Sequence, residues 1–337
     1  GFNSFTYYDE MGRAALNVDA EGYVTQTTYT DRGEIETVKR YANALQQADY
    51  DSLTGTEALS AVQLPSIDDA KDALTTYTYD ALGRVLTETM ALNATESATT
   101  TYDYDAAGNI IEMVDGNGGR TLSWYDNLGR VTLIIDAEGT ATSMVYDARG
   151  LVIATTVHAT NVANFASLNP RQAVPSISTN AADLTTRQRY DDLGRVTHTL
   201  DAAGYVSKLV YDEAGNVIQT TQFFNGYSGN VSNFHINANE PNTHANDITT
   251  HQRYDDLGRV SHSLDAEGFV TAFTYDAVGN VTQTTQFFEA YSGNASTFHT
   301  NTDQPAITAD RDITSFAKYD GLGRVILSID GERHVTT

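Results

Sequence analysis

Three groups of residues in this chain have the types and spacing that could do chemistry. The first is a series of aspartates that recurs at short, regular intervals: Asp9, Asp80, Asp126, Asp191, Asp255 and Asp320, with Asp19, Asp136, Asp201 and Asp265 between them. Carboxylates are hard oxygen ligands, so a calcium role is open to them. Neither an EF-hand loop nor a Gly-Gly-x-Gly-x-Asp nonapeptide is present, however. Each aspartate also stands a few residues before a glycine, where it has a structural use: its side chain bonds the backbone of its own turn. The second group is the histidines, which could ligate zinc. His198 and His262 are equivalents in a repeat, as are His235 and His299, and equivalence of that kind favours packing. The third group lies in two related segments, Phe223–Phe224 to Phe234–His235 and Phe287–Phe288 to Phe298–His299. Aromatic faces stack on sugar rings and amides bond their hydroxyls. The candidate glycan contacts are therefore Phe224, Tyr227, Asn230 and Phe234, with Phe288, Tyr291, Asn294 and Phe298. The competing role, favoured on side-chain size, is that these aromatics pin their segments onto the rest of the fold.

No catalytic constellation accompanies them. The chain has no Gly-x-Ser-x-Gly, His-Glu-x-x-His or P-loop, so it is not expected to be an enzyme, and no cofactor is expected beyond the open question of calcium.

What must position these residues is a repeat. Tyr8-Asp9-Glu10-Met11-Gly12-Arg13 returns at Tyr79 to Arg84, Tyr125 to Arg130, Tyr190 to Arg195, Tyr254 to Arg259 and Tyr319 to Arg324. A sister form ends in Gly-Asn, at Tyr104 to Asn109, Tyr211 to Asn216 and Tyr275 to Asn280. Between them stands Asp-Ala-x-Gly, at Asp19 to Gly22, Asp136 to Gly139, Asp201 to Gly204 and Asp265 to Gly268. Successive tyrosines, such as Tyr190 and Tyr211, are often 21 residues apart. Tyr190, Tyr254 and Tyr319 follow at 64 and 65 residues, and residues 189–241 match residues 253–305 at 34 of 53 positions.

The turns leave six or seven residues between them, rich in Thr, Tyr and Val. That length and composition predict antiparallel strands joined by short hairpins, an all-β fold. Val196, His198 and Leu200 are expected on one face of their strand. Tyr205, Leu209 and Tyr211, like Phe269, Phe273 and Tyr275, form an aromatic face, with the signature tyrosines as a ladder; Val206 and Lys208, or Val270 and Ala272, form a mixed one. The aromatic face is expected to be the packed one. The Arg of each Gly-Arg is expected to pair with acids of an adjacent strand or to lie on the tyrosine ladder.

The array is read as continuous over residues 1–337 without separate domains, interrupted by insertions at about 40–75, 158–186, 225–250 and 289–313. Ser66 to Leu74 reads as a Ser-capped short helix. All five prolines fall within the insertions, at positions 65, 170, 175, 241 and 305. Gly1 stands where an Asp-Ala-x-Gly turn would end, and Thr337 stops three residues short of the next expected tyrosine. The chain is therefore expected to be a piece of a longer array.

The alternation of Tyr-Asp-x-x-Gly-Arg, Asp-Ala-x-Gly and Tyr-Asp-x-x-Gly-Asn resembles the YD repeat of Rhs proteins, teneurins and the cocoon subunits of Tc toxins. The resemblance covers nearly the whole chain outside the insertions. It implies tandem antiparallel hairpins in a sheet that spirals into a shell, tube or fibre, and it implies a giant secreted bacterial protein. Many such shells enclose a C-terminal toxin released by a self-cleaving core. This chain has no Asp-Pro dipeptide, plug or toxin, so that activity is not carried over.

Charge narrows the partners. The net charge is −24 and cysteine is absent. Such a surface repels nucleic acid and anionic lipid, while counterions outside the cell would screen its self-repulsion. No apolar run could span a membrane, and the N-terminus lacks the pattern of a secretion signal. The expected setting is extracellular or the bacterial cell surface. The expected partners are further repeats, other copies of the chain, a surface glycan or an encapsulated toxin. Residues 190–253 and 254–318 are expected to superpose through one constant screw operation, favouring stacking along an axis.

Overall fold

A computed structural model describes residues 3–56, 58–93, 95–162 and 164–336. The expectations that rested on Gly1 and Thr337 lie outside the described residues. Among the described residues, twenty-three strands belong to one sheet, and every described pairing is antiparallel. The chain divides into two compact units, one of residues 1–144 with 157–183, the other of residues 145–156 with 184–337.

Local chemistry explains the hairpins. In the turn at Asp191, the Gly194 amide donates to the Asp191 carbonyl, and the Asp191 amide donates to the Arg195 carbonyl at 3.0 Å. This closes a three-residue loop that ends in a left-handed glycine, with φ of 80° at Gly194. The register then slips by one residue. Arg189 faces His198, but Tyr190 faces Val196. The same bulge follows Tyr254 and Tyr275. Bulges add twist and take Val196 out of simple alternation with His198 and Leu200. Between turns, threonines bond across strands, as Thr78 does with Thr87 at 2.7 Å and Thr285 with Thr314 at 3.2 Å.

In the first unit, two cores are built on Asp-Ala-x-Gly hairpins. Leu16, Val18 and Val24 are covered by Leu45, Tyr50 and Val62 of the first insertion. Leu122, Trp124, Leu133 and Ile135 are covered by Phe165, Leu168 and Ile177 of the second. In the second unit, Leu200 and Val206 lie under Phe223 and Phe234, and Leu264 and Val270 lie under Phe287 and Phe298. Each insertion is thus the lid of one hairpin, and the prolines stay out of the strands.

Two expectations are corrected. The packed face is the one with Val206 and Val270, which are buried, whereas Tyr205 and Phe269 on the aromatic face are largely exposed. Alternation separates the two faces of a strand but does not say which one an insertion will cover. The short helix expected at 66–74 is a turn closed by the Asp68 carbonyl, and the helix of that insertion is Gln47–Asp51. Pairing with the strand Ile35–Ala44 draws Ala73 and Leu74 into a strand, which overrides local helix propensity.

Candidate functional site

The YD turns form a connected lattice. Asp255 Oδ1 accepts the amides of Leu257 at 3.0 Å and Arg259 at 2.9 Å, and its Oδ2 accepts Arg259 Nε at 2.7 Å. These donors, the Arg259 amide first, hold the Asp255 carboxyl below its ordinary range. The arginine's acidic partner is therefore the aspartate of its own turn, not one on an adjacent strand. Its guanidinium lies over the Tyr275 ring, 4.4 Å from the centroid, as the sequence allowed, and Nη1 donates to the Asp276 carbonyl at 3.2 Å. Tyr275 Oη in turn donates to the Val260 carbonyl at 2.7 Å. Arg195, Tyr211 and Val196 repeat the arrangement, as do Arg84, Tyr104 and Val85. The tyrosines that follow Gly-Arg turns thus each lie under the arginine of the preceding turn. In Gly-Asn turns an amide replaces the guanidinium: Asn280 Nδ2 donates to Asp276 Oδ2 at 2.8 Å. These aspartates accept protein donors on both oxygens. Among the described residues, no group of three or more His, Cys, Asp or Glu side chains is placed to hold a metal ion.

The aromatic insertions hang from the sheet by several attachments. Phe234 and Phe298 are fully buried. Tyr227 and Tyr291 meet them edge-on, both at 5.2 Å between centroids. The tyrosine amides donate to the Gly204 and Gly268 carbonyls at 2.8 Å. In Tyr-Ser-Gly-Asn the glycine is needed for space: a Cβ on Gly229 would lie 2.5 Å from Tyr227 Cζ. Asn230 and Asn294 cap the 3-10 turns that follow, accepting the amides of Ser232 at 2.9 Å and Ser296 at 3.0 Å. Of the eight candidate residues, Phe224 and Phe288 are the aromatics that remain largely exposed. Phe224 stacks on His244 at 4.5 Å, and Arg311 sits 3.3 Å above the Phe288 centroid.

The sequence reading missed two sets of residues. Arg189 and Arg253 are buried beneath the insertions, their guanidinium groups 4.7 and 4.4 Å from the Phe234 and Phe298 centroids. Arg253 donates to the Phe298 carbonyl at 3.0 Å and to the Asp303 carbonyl at 2.8 Å. Burial pushes both guanidinium groups down from their ordinary value. Their signal was the shared Gln-Arg before Tyr190 and Tyr254. The second set is one aspartate at the end of each insertion: Asp72, Asp183, Asp247 and Asp312. Asp247 accepts the amides of Phe224 and His244, both at 2.8 Å, and so joins the entry of its insertion to the exit. Asp312 does the same for Phe288 and Thr308, Asp183 for Ala159 and Asn180, and Asp72 for Ala42 and Asp68. Their signal was an Asp before an apolar residue where each array resumes.

His198 and His262 face the insertions. His198 Nε2 lies 3.1 Å from Glu240 Oε1, and His262 Nε2 lies 3.0 Å from Gln304 Oε1. Burial, ahead of the neighbouring arginines, lowers the pKa of both.

No curated protein matches the sequence closely. Among solved structures, TcdB2-TccC3 without its hypervariable C-terminal region aligns over 99% of this chain, with a TM-score of 0.53 and 14% identity. A TcdB2-TccC3-TEV structure aligns over 98%, with a TM-score of 0.47 and 13% identity. The chain spans 16% and 18% of those two chains, and at such identity the first likeness concerns the fold alone. The RHS repeat profile matches residues 245–287, and the teneurin YD-shell profile matches residues 50–238, more than half of the chain. With its Tyr-Asp turns, its bulged hairpins and its profile match, the chain belongs to the teneurin YD-shell family.

Proposed function

We propose that this chain is a wall segment of a large extracellular or cell-surface bacterial Rhs-type protein, built to form a shell or filament and not to catalyse. The observation that carries this reading is the lattice of Asp, Arg and Tyr, in which, within each unit, the tyrosine of one hairpin is bonded to the hairpin before it. Such a unit is stabilised mainly by its neighbours and can be extended without a change of design. The YD-shell match and the fold shared with TcdB2-TccC3 support it. Among the described residues no helix is long and apolar enough to cross a membrane. A cargo, such as a toxin, would belong to other parts of the longer protein. Electron microscopy of that protein tests the reading: a hollow shell, tube or filament is expected, and separate compact globules would refute it.

Adhesion to glycan is the second reading. It draws on Phe224 and Phe288, because Phe234 and Phe298 are buried, Asn230 and Asn294 cap their turns, and Tyr227 and Tyr291 pack on the buried rings. Glycan-array binding abolished by Phe224→Ala with Phe288→Ala would support it, and binding unaltered by that pair would refute it.

A further inference from the structure

One row of side chains in the first unit serves neither the wall nor the glycan reading. Ser143 stands on the strand Ala141–Tyr146. His158 opens the second insertion directly after the strand Val152–Val157, and Asp183 ends it just before the strand Leu184–Tyr190. Folding brings the three together. Ser143 Oγ lies 2.9 Å from His158 Nε2. On the other side of the ring, Nδ1 lies 3.3 Å from Asp183 Oδ2, an ion-pair distance, although the two are not aligned as a hydrogen bond. Hydroxyl, imidazole and carboxylate in that order are the parts of an activated serine, and such contacts often tighten only when the ring takes up a proton.

The packing of an insertion does not require this row. His158 enters its insertion as Phe223 and Phe287 enter theirs: its amide donates to the Ala141 carbonyl at 2.8 Å, as theirs do to Val206 and Val270 at 3.0 and 2.9 Å. Lys208 and Ala272 hold the strand position of Ser143. Those two insertions close over their hairpins with neither serine nor histidine there. The closing aspartate does not need the ring either, since Asp247 and Asp312 latch their insertions through backbone amides. Asp183 accepts the amides of Ala159 at 2.9 Å and Asn180 at 3.0 Å, which fix its carboxylate in place. The same amides, that of Asn180 first, hold the carboxyl below its ordinary range, so it is charged at neutral pH. A charge beside Nδ1 places the neutral ring's proton there and leaves the Nε2 lone pair to accept the Ser143 hydroxyl. His158 is buried, which shields the base from water, while Ser143 is partly exposed and open to a reagent.

We propose that Ser143 is a nucleophile that accepts an acyl group from an activated ester or thioester, with His158 as its base and Asp183 as the group that holds the ring. In that step a bond forms between Ser143 Oγ and the carbonyl carbon of the donor. The bond from that carbon to the leaving oxygen or sulfur breaks. The Ser143 proton passes to His158 Nε2 and from there to the leaving group, so the ring ends neutral and the acyl group ends as an ester on Ser143. Asp183 faces the imidazolium that forms in between. The inference goes beyond the wall reading and does not depend on it, because a wall that takes up one acyl group need not turn over.

The test incubates this chain with p-nitrophenyl acetate and follows acetylation by peptide mass spectrometry over time. Ser228, an exposed serine of the third insertion, is the internal reference. Ser143 should be acetylated about 100-fold faster than Ser228, the lower end of what a positioned base supplies. His158→Gln should remove that advantage. Asp183→Asn, which takes the charge from beside the ring, should slow Ser143 by about tenfold or more. Thermal midpoints separate a lost base from a lost fold in these variants. The comparison of the two serines in the parent chain needs no variant, so it decides even where a variant unfolds. Equal rates at Ser143 and Ser228 would overturn the proposal and leave a buried, hydrogen-bonded histidine only. So would a Ser143 rate that His158→Gln leaves unchanged in a chain with the parent's thermal midpoint. Release of nitrophenolate beyond one equivalent, lost in Ser143→Ala, would uphold the proposal and instead refute the non-catalytic part of the wall reading. The absence of a shell or filament by microscopy leaves the Ser143 result standing.

Discussion

Replacing Phe298 by alanine separates an insertion that packs from one that merely rests on the sheet. The ring is fully buried among Leu264, Val270 and Phe287. It meets Tyr291 edge-on at 5.2 Å and carries the Arg253 guanidinium 4.4 Å from its centroid. Truncation removes the whole ring from a closed environment and leaves a cavity, which costs about 3–5 kcal/mol. The Arg253 bond to the Phe298 carbonyl survives, because a backbone atom accepts it. The loss is therefore one of packing, and it falls on the lid of a single hairpin. Phe288, 41% exposed, is the control, and its truncation should cost about 1 kcal/mol or less. Stability in a repeat array is local, so hydrogen exchange by mass spectrometry is the decisive assay. In Phe298→Ala, protection should fall at the Tyr291 amide bound to Gly268 and at the Phe287 amide bound to Val270, while the 190–253 repeat stays unchanged. Urea unfolding should show the same ranking. If Phe298→Ala costs no more than Phe288→Ala, or if exchange quickens evenly along the chain, the lid account is wrong.

Other outcomes follow from the same contacts. Asp247→Ala leaves the Phe224 and His244 amides without their acceptor, and should cost about 1–2 kcal/mol by urea unfolding and quicken exchange at both amides. Asp247 is held below the usual carboxylate range, by the Phe224 amide first. Its stabilisation is complete above the unfolded value near pH 3.8 and is lost as pH falls through the folded one, so acid should loosen this insertion before Asp247→Asn changes further. Tyr227 Oη is buried without a partner, whereas Asn301 Nδ2 donates to Tyr291 Oη at 2.6 Å. Tyr227→Phe should therefore be neutral or stabilising, and Tyr291→Phe should cost about 1 kcal/mol in thermal unfolding. His262 faces Ser261, Gln304 and Arg253, and burial lowers its pKa. Its neutral form suits the fold, so stability is full above the unfolded value of 6.5 and falls as pH drops towards the folded one. Unfolding midpoints measured between neutrality and pH 5 should decline, and His262→Gln should flatten that slope.

The repeat determined the local fold because its information is local. An Asp that can bond its own turn, a Gly that adopts positive φ and a strand-length run of β formers suffice to place the hairpins at Asp191 and Asp255. The same locality made the aspartates legible as turn residues and marked the aromatic insertions as packing elements. Tertiary structure decided what lies between distant positions. Alternation separated Tyr205 from Val206, but only the docking of Phe234 buried the face of Val206. The helix read at 66–74 gave way because strand pairing captured Ala73 and Leu74. The shared Gln-Arg marks Arg189 and Arg253 as equivalents but does not say what buries them, since their acceptors are carbonyls about 45 residues further on. The closing aspartates such as Asp247 bind amides at both ends of a loop, and only the folded chain brings those ends to one carboxylate. Turn chemistry acts over four or five residues, whereas a lid, its latch and its buried face are set by contacts that no short stretch of sequence contains.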